Sequence, residues 1–169
     1  MAVNPGAQAA QLFAAFYGAV VTGGAKTLPA SGTGHLFTVA GGRVIVTSLT
    51  GVVSTVIQAQ ACTVSIGNTP TGGSGSNTSI ATASSSVSGV AVGATFAVPP
   101  YSSGAAALVF SGANGILPTA DLGISLDDGG LYLVPAGTVD WTTSATNTGA
   151  VTWTVTYVPY DAGATVTAL

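Results

Sequence analysis

The clearest alternation of apolar and polar positions lies near the C-terminus of the chain. In residues 151–158 (VTWTVTYV), apolar side chains occupy the odd positions and threonine occupies positions 152, 154 and 156. A period of two places successive residues on opposite faces of a β-strand. The pattern therefore predicts a half-buried antiparallel strand with Trp153 and Val155 in the core. Thr152 and Thr154 are expected on the opposite face.

Apolar, β-branched runs predict further strands along most of the chain. In the longest run, residues 43–58, Gly51 marks a bulge or kink. Residues 67–78 are rich in Gly, Asn, Ser and Thr, which is typical of an exposed loop. The other predicted strand regions are residues 36–39, 61–66, 87–98, 106–110, 122–126 and 131–134.

These strands are not separated by helical patterns, so a parallel βαβ architecture is disfavoured. The predicted fold class is all-β, an antiparallel β-sandwich with jelly-roll-like or immunoglobulin-like connectivity. We assign the sandwich domain to residues 31–169 and a short N-terminal arm to residues 1–30.

The arm has the sequence features of an assembly segment. Residues 7–17 favour a helix, and the Gly-rich stretch that follows ends it. We expect either a short helix or a segment docked on a neighbour. The apolar run 12–21 is too short to span a bilayer and follows no basic residue of a signal peptide, so we expect no membrane contact. The candidate assembly contacts, spaced for one helical face, are Leu12, Phe13, Phe16 and Tyr17.

Charged side chains are nearly absent from the chain. They make up 4% of its residues, against roughly 25% in an ordinary soluble domain. Two bases and five aspartates cannot replace the counterions of nucleic acid, so direct binding to DNA or RNA is not expected. A weakly charged surface also lacks the repulsion that keeps copies apart. The composition therefore favours a structural subunit over an enzyme.

Candidate catalytic residues are correspondingly few. A Ser–His–Asp arrangement would have to use His35, and no nucleophile-elbow motif surrounds any serine; we expect an edge or capping role for this histidine. Cys62 lies in a strand-like run with no cation nearby, which favours a small buried side chain over a reactive thiol. We predict no catalytic residue and no cofactor.

One acidic pair remains as a candidate ligand set. Asp127 and Asp128 precede two glycines, a pattern that suits a hairpin turn or a site for a hard cation such as Ca²⁺. The spacing is not that of an EF-hand, so we favour the turn and predict no metal. For Trp141 and Trp153, core packing is favoured over a sugar-stacking platform.

Two stretches of the predicted sandwich domain, one near each end, contain short sequence segments that resemble those of a known group of proteins. Residues 35–66 contain LFTV, GG, VIVTS and VIQAQ, and residues 131–168 contain VPAGT, TSATNTGAV and YVP followed by DAGA. Together they resemble a group of small virion proteins of tailed bacteriophages. The strings mark strands and turns, and no catalytic motif is among them. Residues 67–130 have no comparable pattern.

The resemblance implies a non-enzymatic phage virion protein, since such groups contain capsid decoration (cement) proteins and other head or tail components. It implies synthesis in the host cytoplasm and a place on the capsid surface. The implied partners are the major capsid protein or other virion proteins, and further copies of the chain, with a homotrimer favoured.

Two alternatives stay open. One is a tail or fibre component that contacts a host receptor, with Trp141 or Tyr101 in a groove beside Asp127 and Asp128. The other is a carbohydrate-binding β-sandwich module.

Overall fold

The computed structural model describes residues 18–72, 76–99, 107–111 and 131–169. These residues form eleven strands and no helix, so this part of the chain contains no helix suited to crossing a membrane. The strands are β1 (Ala19–Thr27), β2 (Thr33–Ala40), β3 (Val44–Thr55), β4 (Val64–Pro70), β5 (Thr78–Ala81), β6 (Thr95–Ala97), β7 (Val109–Phe110), β8 (Tyr132–Val134), β9 (Gly137–Thr143), β10 (Ala150–Pro159) and β11 (Thr165–Ala168).

The strands are arranged in two antiparallel sheets, which confirms the predicted all-β sandwich. Sheet A has the order β1-β10-β3-β6-β7, with β8 also paired to β3. Sheet B has the order β11-β2-β9-β4-β5. The apolar faces of the two sheets enclose a single continuous core.

The pairs are nested along the chain. Strand β1 pairs with β10, β2 with β9, β3 with β8, and β4 with β5. The strands of these four pairs thus follow one long antiparallel hairpin, and successive strands of each half alternate between sheet A and sheet B. Of the two predicted connectivities, this nesting is that of a jelly roll.

The alternating segment near the C-terminus forms β10 as predicted. Trp153 and Val155 are buried, whereas Thr152 and Thr154 are half-buried on the outer face of sheet A. The Trp153 ring stacks on Phe96 at a centroid distance of 6.0 Å. It also meets the edge of the Trp141 ring, from sheet B, at 5.8 Å. The contact between Trp153 and Trp141 joins the two sheets within the core, and Phe96 extends the aromatic cluster along sheet A.

Gly51 does not form a bulge, which was one of the two features predicted for it. It lies directly opposite Trp153 in a continuous register, and the register shifts between β10 and β3 lie further along the pair in both directions. A Cβ atom on Gly51 would lie 2.9 Å from atoms of the Trp153 ring and 2.8 Å from Val151 Cγ1. The glycine is required because the indole packs against the backbone of β3.

The predicted exposed loop begins later than expected. Residues 67–70 belong to β4, which has hydrogen-bonded neighbours on both sides in sheet B, and Gly67 and Asn68 are buried. Exposed chain begins at Thr71. Turn-forming residues are accommodated in a strand here because tertiary pairing outweighs local preference. Similarly, only Thr95–Ala97 of the predicted strand region 87–98 is a strand.

Part of the segment assigned to the arm lies in sheet A. Strand β1 pairs with β10 along its length, and the register shift between Thr22 and Ala25 places Gly23-Gly24 in a β-bulge. Leu28 is buried in the core. From Ala19 onward, therefore, the segment contributes an edge strand to the sandwich.

Candidate functional site

The single histidine of the chain lies beside a buried carboxyl group on the outer face of sheet B. His35 on β2 is opposite Asp140 on β9, and its Nδ1 lies 2.6 Å from Asp140 Oδ1. The Asp140 side chain is fully buried, whereas that of His35 is 59% exposed. Val139 and Trp141 point into the core, so Asp140 between them points outward.

The second carboxyl oxygen of Asp140 is also satisfied. The Thr69 hydroxyl donates to Oδ2 at 2.6 Å, and Asn77 Nδ2 lies 3.3 Å from the same oxygen. Partners from β2, β4 and the segment before β5 therefore converge on one residue of β9. A buried carboxyl group needs such partners because it has left water.

Gly67 makes the room for this cluster. It lies opposite Asp140 in the pairing of β4 with β9, and a Cβ atom at this position would overlap the Asn77 side chain. The absence of a side chain on Gly67 lets Asn77 lie over β4 and reach the carboxyl group.

The chemistry of the cluster is limited by what surrounds His35. A catalytic triad needs a hydroxyl or thiol hydrogen-bonded to the second imidazole nitrogen. Within the described ranges, the His35 side chain forms a hydrogen bond only to Asp140. Strand β2 pairs with β11 along Phe37–Ala40 and with β9 on its other side, so the edge or capping role expected of His35 stays a prediction. Together, His35 and Asp140 join neighbouring strands through side chains.

Two other residues singled out from the sequence lie in the core. Cys62 is buried, as predicted, with its Sγ 3.4 Å from the Ala145 carbonyl oxygen. Trp141 is 2% exposed. Trp141 therefore lines no receptor groove and offers no surface on which a sugar could stack. Neither alternative function is supported by this residue.

Several predicted site residues lie outside the described residues. They are Leu12, Phe13, Phe16, Tyr17, Tyr101, Asp127 and Asp128. Within the four described ranges, no three His, Cys, Asp or Glu side chains are placed to hold a metal ion.

An exposed ion pair joins the turn before β3 to the turn after β10. Arg43 donates from Nε to Asp161 Oδ2 at 2.9 Å and from Nη2 to Oδ1 at 2.8 Å, and its backbone N–H also donates to Oδ2. These hydrogen bonds lower the pKa of Asp161 to about 2. The guanidinium carbon lies 4.6 Å from the centre of the Tyr160 ring.

The charges that the structure describes are therefore largely hidden or paired. Asp140 is buried, and Arg43 and Asp161 neutralise each other. Lys26, on edge strand β1, has no ion-pair partner within this part of the chain. The remaining charged residues of the sequence, Asp121, Asp127 and Asp128, lie outside the described residues.

The outer face of sheet A is neutral and carries small side chains. Thr22, Thr154 and Thr50 form a row across β1, β10 and β3, and the first two hydroxyl groups lie 3.0 Å apart. Val20 and Val52 are exposed on the same face. The face therefore offers hydroxyl and aliphatic groups, without a long charged side chain in these rows.

The outer face of sheet B has a similar character. Thr167, Thr38, Thr138 and Thr69 form a row across four adjacent strands. A shallow depression on this face includes the last three of these threonines. Apart from the exposed His35 side chain, the described part of both broad faces thus presents mainly short neutral side chains.

Comparison with known proteins finds no family model, no curated protein and no solved structure that matches this chain. The properties that bear on function are therefore those of the chain itself: a jelly-roll sandwich, two broad faces that carry little charge in the described residues, and a buried polar cluster.

Proposed function

We propose that this chain is a non-enzymatic structural protein of a tailed-bacteriophage particle, and specifically a capsid decoration protein that bridges neighbouring capsid subunits. Its partners are the major capsid protein and further copies of itself, in a trimer or similar ring. The observation that carries the proposal is the scarcity of charge on the described part of both broad faces, where Asp140 is buried beside His35, together with the pairing of Arg43 to Asp161.

Neutral faces suit permanent assembly because contacts between apolar and hydroxyl groups are little affected by salt. Weak contacts of this kind become strong when several copies attach around one symmetry axis, since each attachment raises the effective concentration of the next. Jelly rolls occur in viral capsid domains and also in lectins. The shared fold supports the proposed virion role by analogy, and this support is separate from that given by the site.

The proposal is tested on particles of the phage that encodes the chain. Purified particles are labelled with an antibody raised against the chain and imaged by negative-stain electron microscopy. We expect label over the heads at symmetrically repeated positions. Label at the tail or its fibres would instead favour the receptor-contacting alternative. Particles that carry no label, although the infected cells contain the protein, would contradict a virion role altogether.

A second experiment tests the bridging action itself. Heads from a phage with the gene deleted are compared with normal heads for release of DNA on heating. We expect deleted heads to release DNA at a lower temperature, and added purified chain to restore the normal value. Equal release temperatures would contradict a cementing role.

A further inference from the structure

One row of side chains across the outer face of sheet A is entirely apolar. Val158 on β10 is opposite Ile45 on β3, and Ile45 is opposite Leu133 on β8. The residues on either side of Ile45 are buried in the core, and so is Tyr157, which precedes Val158. Since successive residues of a strand point to opposite faces, Val158, Ile45 and Leu133 point outward. We refer to these three side chains as the apolar row.

The apolar row is accessible from outside the sandwich. Leu133 is 48% exposed, and Val158 and Ile45 are half-buried. Val20 on β1 is 63% exposed and pairs with Thr156, so it lies diagonally beside Val158 on the same face. The other outward rows across β10 and β3 each contain a threonine. The apolar row therefore differs from the rest of this face.

Residues 1–17 join the sandwich at this end of sheet A. Strand β1 begins with Ala19 opposite Tyr157, so Gly18 is level with Val158 in the apolar row. Gly18 has a φ of 84°, which departs from an extended strand, and a Cβ atom here would lie 2.9 Å from the Tyr157 carbonyl oxygen. The chain therefore changes direction beside the apolar row before it enters β1.

The sequence before Gly18 matches the apolar row in chemistry and in length. Residues 1–17 contain no Asp, Glu, Lys, Arg or His. On a helix, the large apolar side chains of residues 12–17 would extend over about 8 Å of the axis. The apolar row crosses three strands and is about 10 Å long. Two apolar surfaces of similar size are stabilised when they leave water together.

We propose that residues 12–17 of one copy of the chain pack on the apolar row of a second copy. The inference rests on the assembly function proposed above and names the contact that joins its copies. Because the segment and the row are different surfaces, the contact is head to tail, and each copy gives its segment to one neighbour and receives that of another. Contacts of this kind close into rings, which is the self-association that the proposed function requires.

Two variants of the full chain each remove one of the two surfaces. The row variant, Leu133→Lys, places a charge where the segment would dock, and a charge covered by apolar side chains loses its hydration. Val52→Lys is the matched control, because Val52 is 45% exposed on the same face and pairs with Thr152 toward the other end of β10. The segment variant replaces four large apolar side chains by serine: Leu12→Ser, Phe13→Ser, Phe16→Ser and Tyr17→Ser.

Sedimentation velocity over a range of concentrations measures self-association. We expect the unmodified chain and Val52→Lys to associate equally, and the row and segment variants to associate at least about tenfold more weakly. An unmodified chain that stays monomeric, or a row variant that associates as well as the control, overturns the proposal. If circular dichroism shows that Leu133→Lys does not fold, Leu133→Thr takes its place, since threonine already occupies the neighbouring rows.

Mixing the two variants distinguishes this contact from other arrangements. The segment variant keeps its row and the row variant keeps its segment, so the mixture can form one contact that neither variant forms alone. We expect a one-to-one complex, with shifts of the Ile45, Leu133 and Val158 amide resonances when unlabelled row variant is added to ¹⁵N-labelled segment variant. The absence of these shifts overturns the proposal.

Two further outcomes would replace the proposed contact by another. If the segment variant associates as strongly as the unmodified chain, the copies meet through their sandwich faces. If Leu133→Lys lowers the melting temperature of the monomer and leaves self-association unchanged, the segment docks on its own copy. Either result overturns the proposal.

Failure here is separable from failure of the proposed function. A chain that labels phage heads but gives no complex between the two variants retains its virion role and loses this contact. A chain whose variants form the complex but that is missing from particles uses the contact in a different assembly.

Discussion

The two aspartates that the structure describes lie in opposite surroundings. Asp140 is fully buried and accepts hydrogen bonds at both oxygens, whereas Asp161 forms a two-point ion pair at the surface. A buried carboxyl group depends entirely on its protein partners, while an exposed one can exchange them for water. The two residues are therefore expected to differ sharply in their contribution to stability.

Replacement of Asp140 by Asn should lower the free energy of unfolding by about 1.5–3 kcal/mol, the usual value of a hydrogen bond to a charged group. The amide nitrogen would face a donor where an oxygen now accepts. Urea denaturation at neutral pH measures the change, with Asp161→Asn as the control. If the control loses as much stability as Asp140→Asn, the buried cluster stabilises the fold no more than the exposed ion pair does.

Asp161 also makes the stability of the folded chain depend on pH. Its pKa in the folded chain is about 2, lowered by hydrogen bonds from Arg43, against about 3.9 in an unfolded chain. A lowered pKa means that the stabilising contribution is complete above about pH 5 and is lost as pH falls through about 4 toward 2. The effect is small because the pair is exposed.

The stability difference between the unmodified chain and Asp161→Asn should accordingly be constant from about pH 5 to 8 and shrink between about pH 4 and 2. Urea titrations at several pH values provide the measurement. A difference that changes instead around neutral pH would mean that another group titrates with this ion pair.

At the scale of elements, the pairing of β3 with β10 depends on the match between a missing side chain and a large one. Gly51→Ala should destabilise the chain by about 1–3 kcal/mol, the usual range for overpacking a core, because its Cβ would enter the space of the Trp153 ring. Gly24→Ala is the control, since nothing lies within 4 Å of a Cβ there. Thermal unfolding of both variants tests this. Equal melting temperatures would show that β3 moves away from the indole at no cost.

Elements with a strong local pattern were predictable from the sequence, and those defined by distant partners were not. The alternation in β10 was sufficient to assign its buried face. The end of β4 looked like a loop because Gly67, Asn68 and Pro70 favour turns, and only pairing with β9 makes it a strand. His35 and Asp140 are 105 residues apart, so no local signal brought them together. The role of Gly51 was missed for the same reason, because Trp153 reaches it across the sheet.

For the whole molecule, the important boundary is the one between residues 1–17 and the edge strand β1. A chain that starts at Gly18 keeps β1 and Leu28 and should fold with the stability of the full chain. If residues 1–17 carry the assembly contacts, it should lose self-association or binding to heads. Circular dichroism and light scattering provide the measurements. Unchanged association would show that the contacts lie on the sandwich itself.

A chain that starts at Ser31 is the more severe truncation. It lacks β1, so one side of β10 loses its hydrogen-bonded neighbour, and it lacks the buried Leu28. We expect a lower melting temperature than for the chain starting at Gly18. Equal melting temperatures would mean that β1 contributes little to the fold and that the arm extends to residue 30 after all.

The nested order of the strand pairs has a consequence for biosynthesis. Thr22 and Thr154 are in contact across 132 positions of the chain, and long-range pairings of this kind form slowly because the intervening chain must first be ordered. The ribosome delivers β1, β2 and β3 long before their partners exist, and the β4–β5 hairpin is the first nested pair that can close. We expect pairing to proceed outward from that hairpin and to end with β1 on β10 after the C-terminal region has emerged. Until then the early, largely aliphatic strands are unpaired and prone to aggregate, so we expect the chain to need chaperones while it folds.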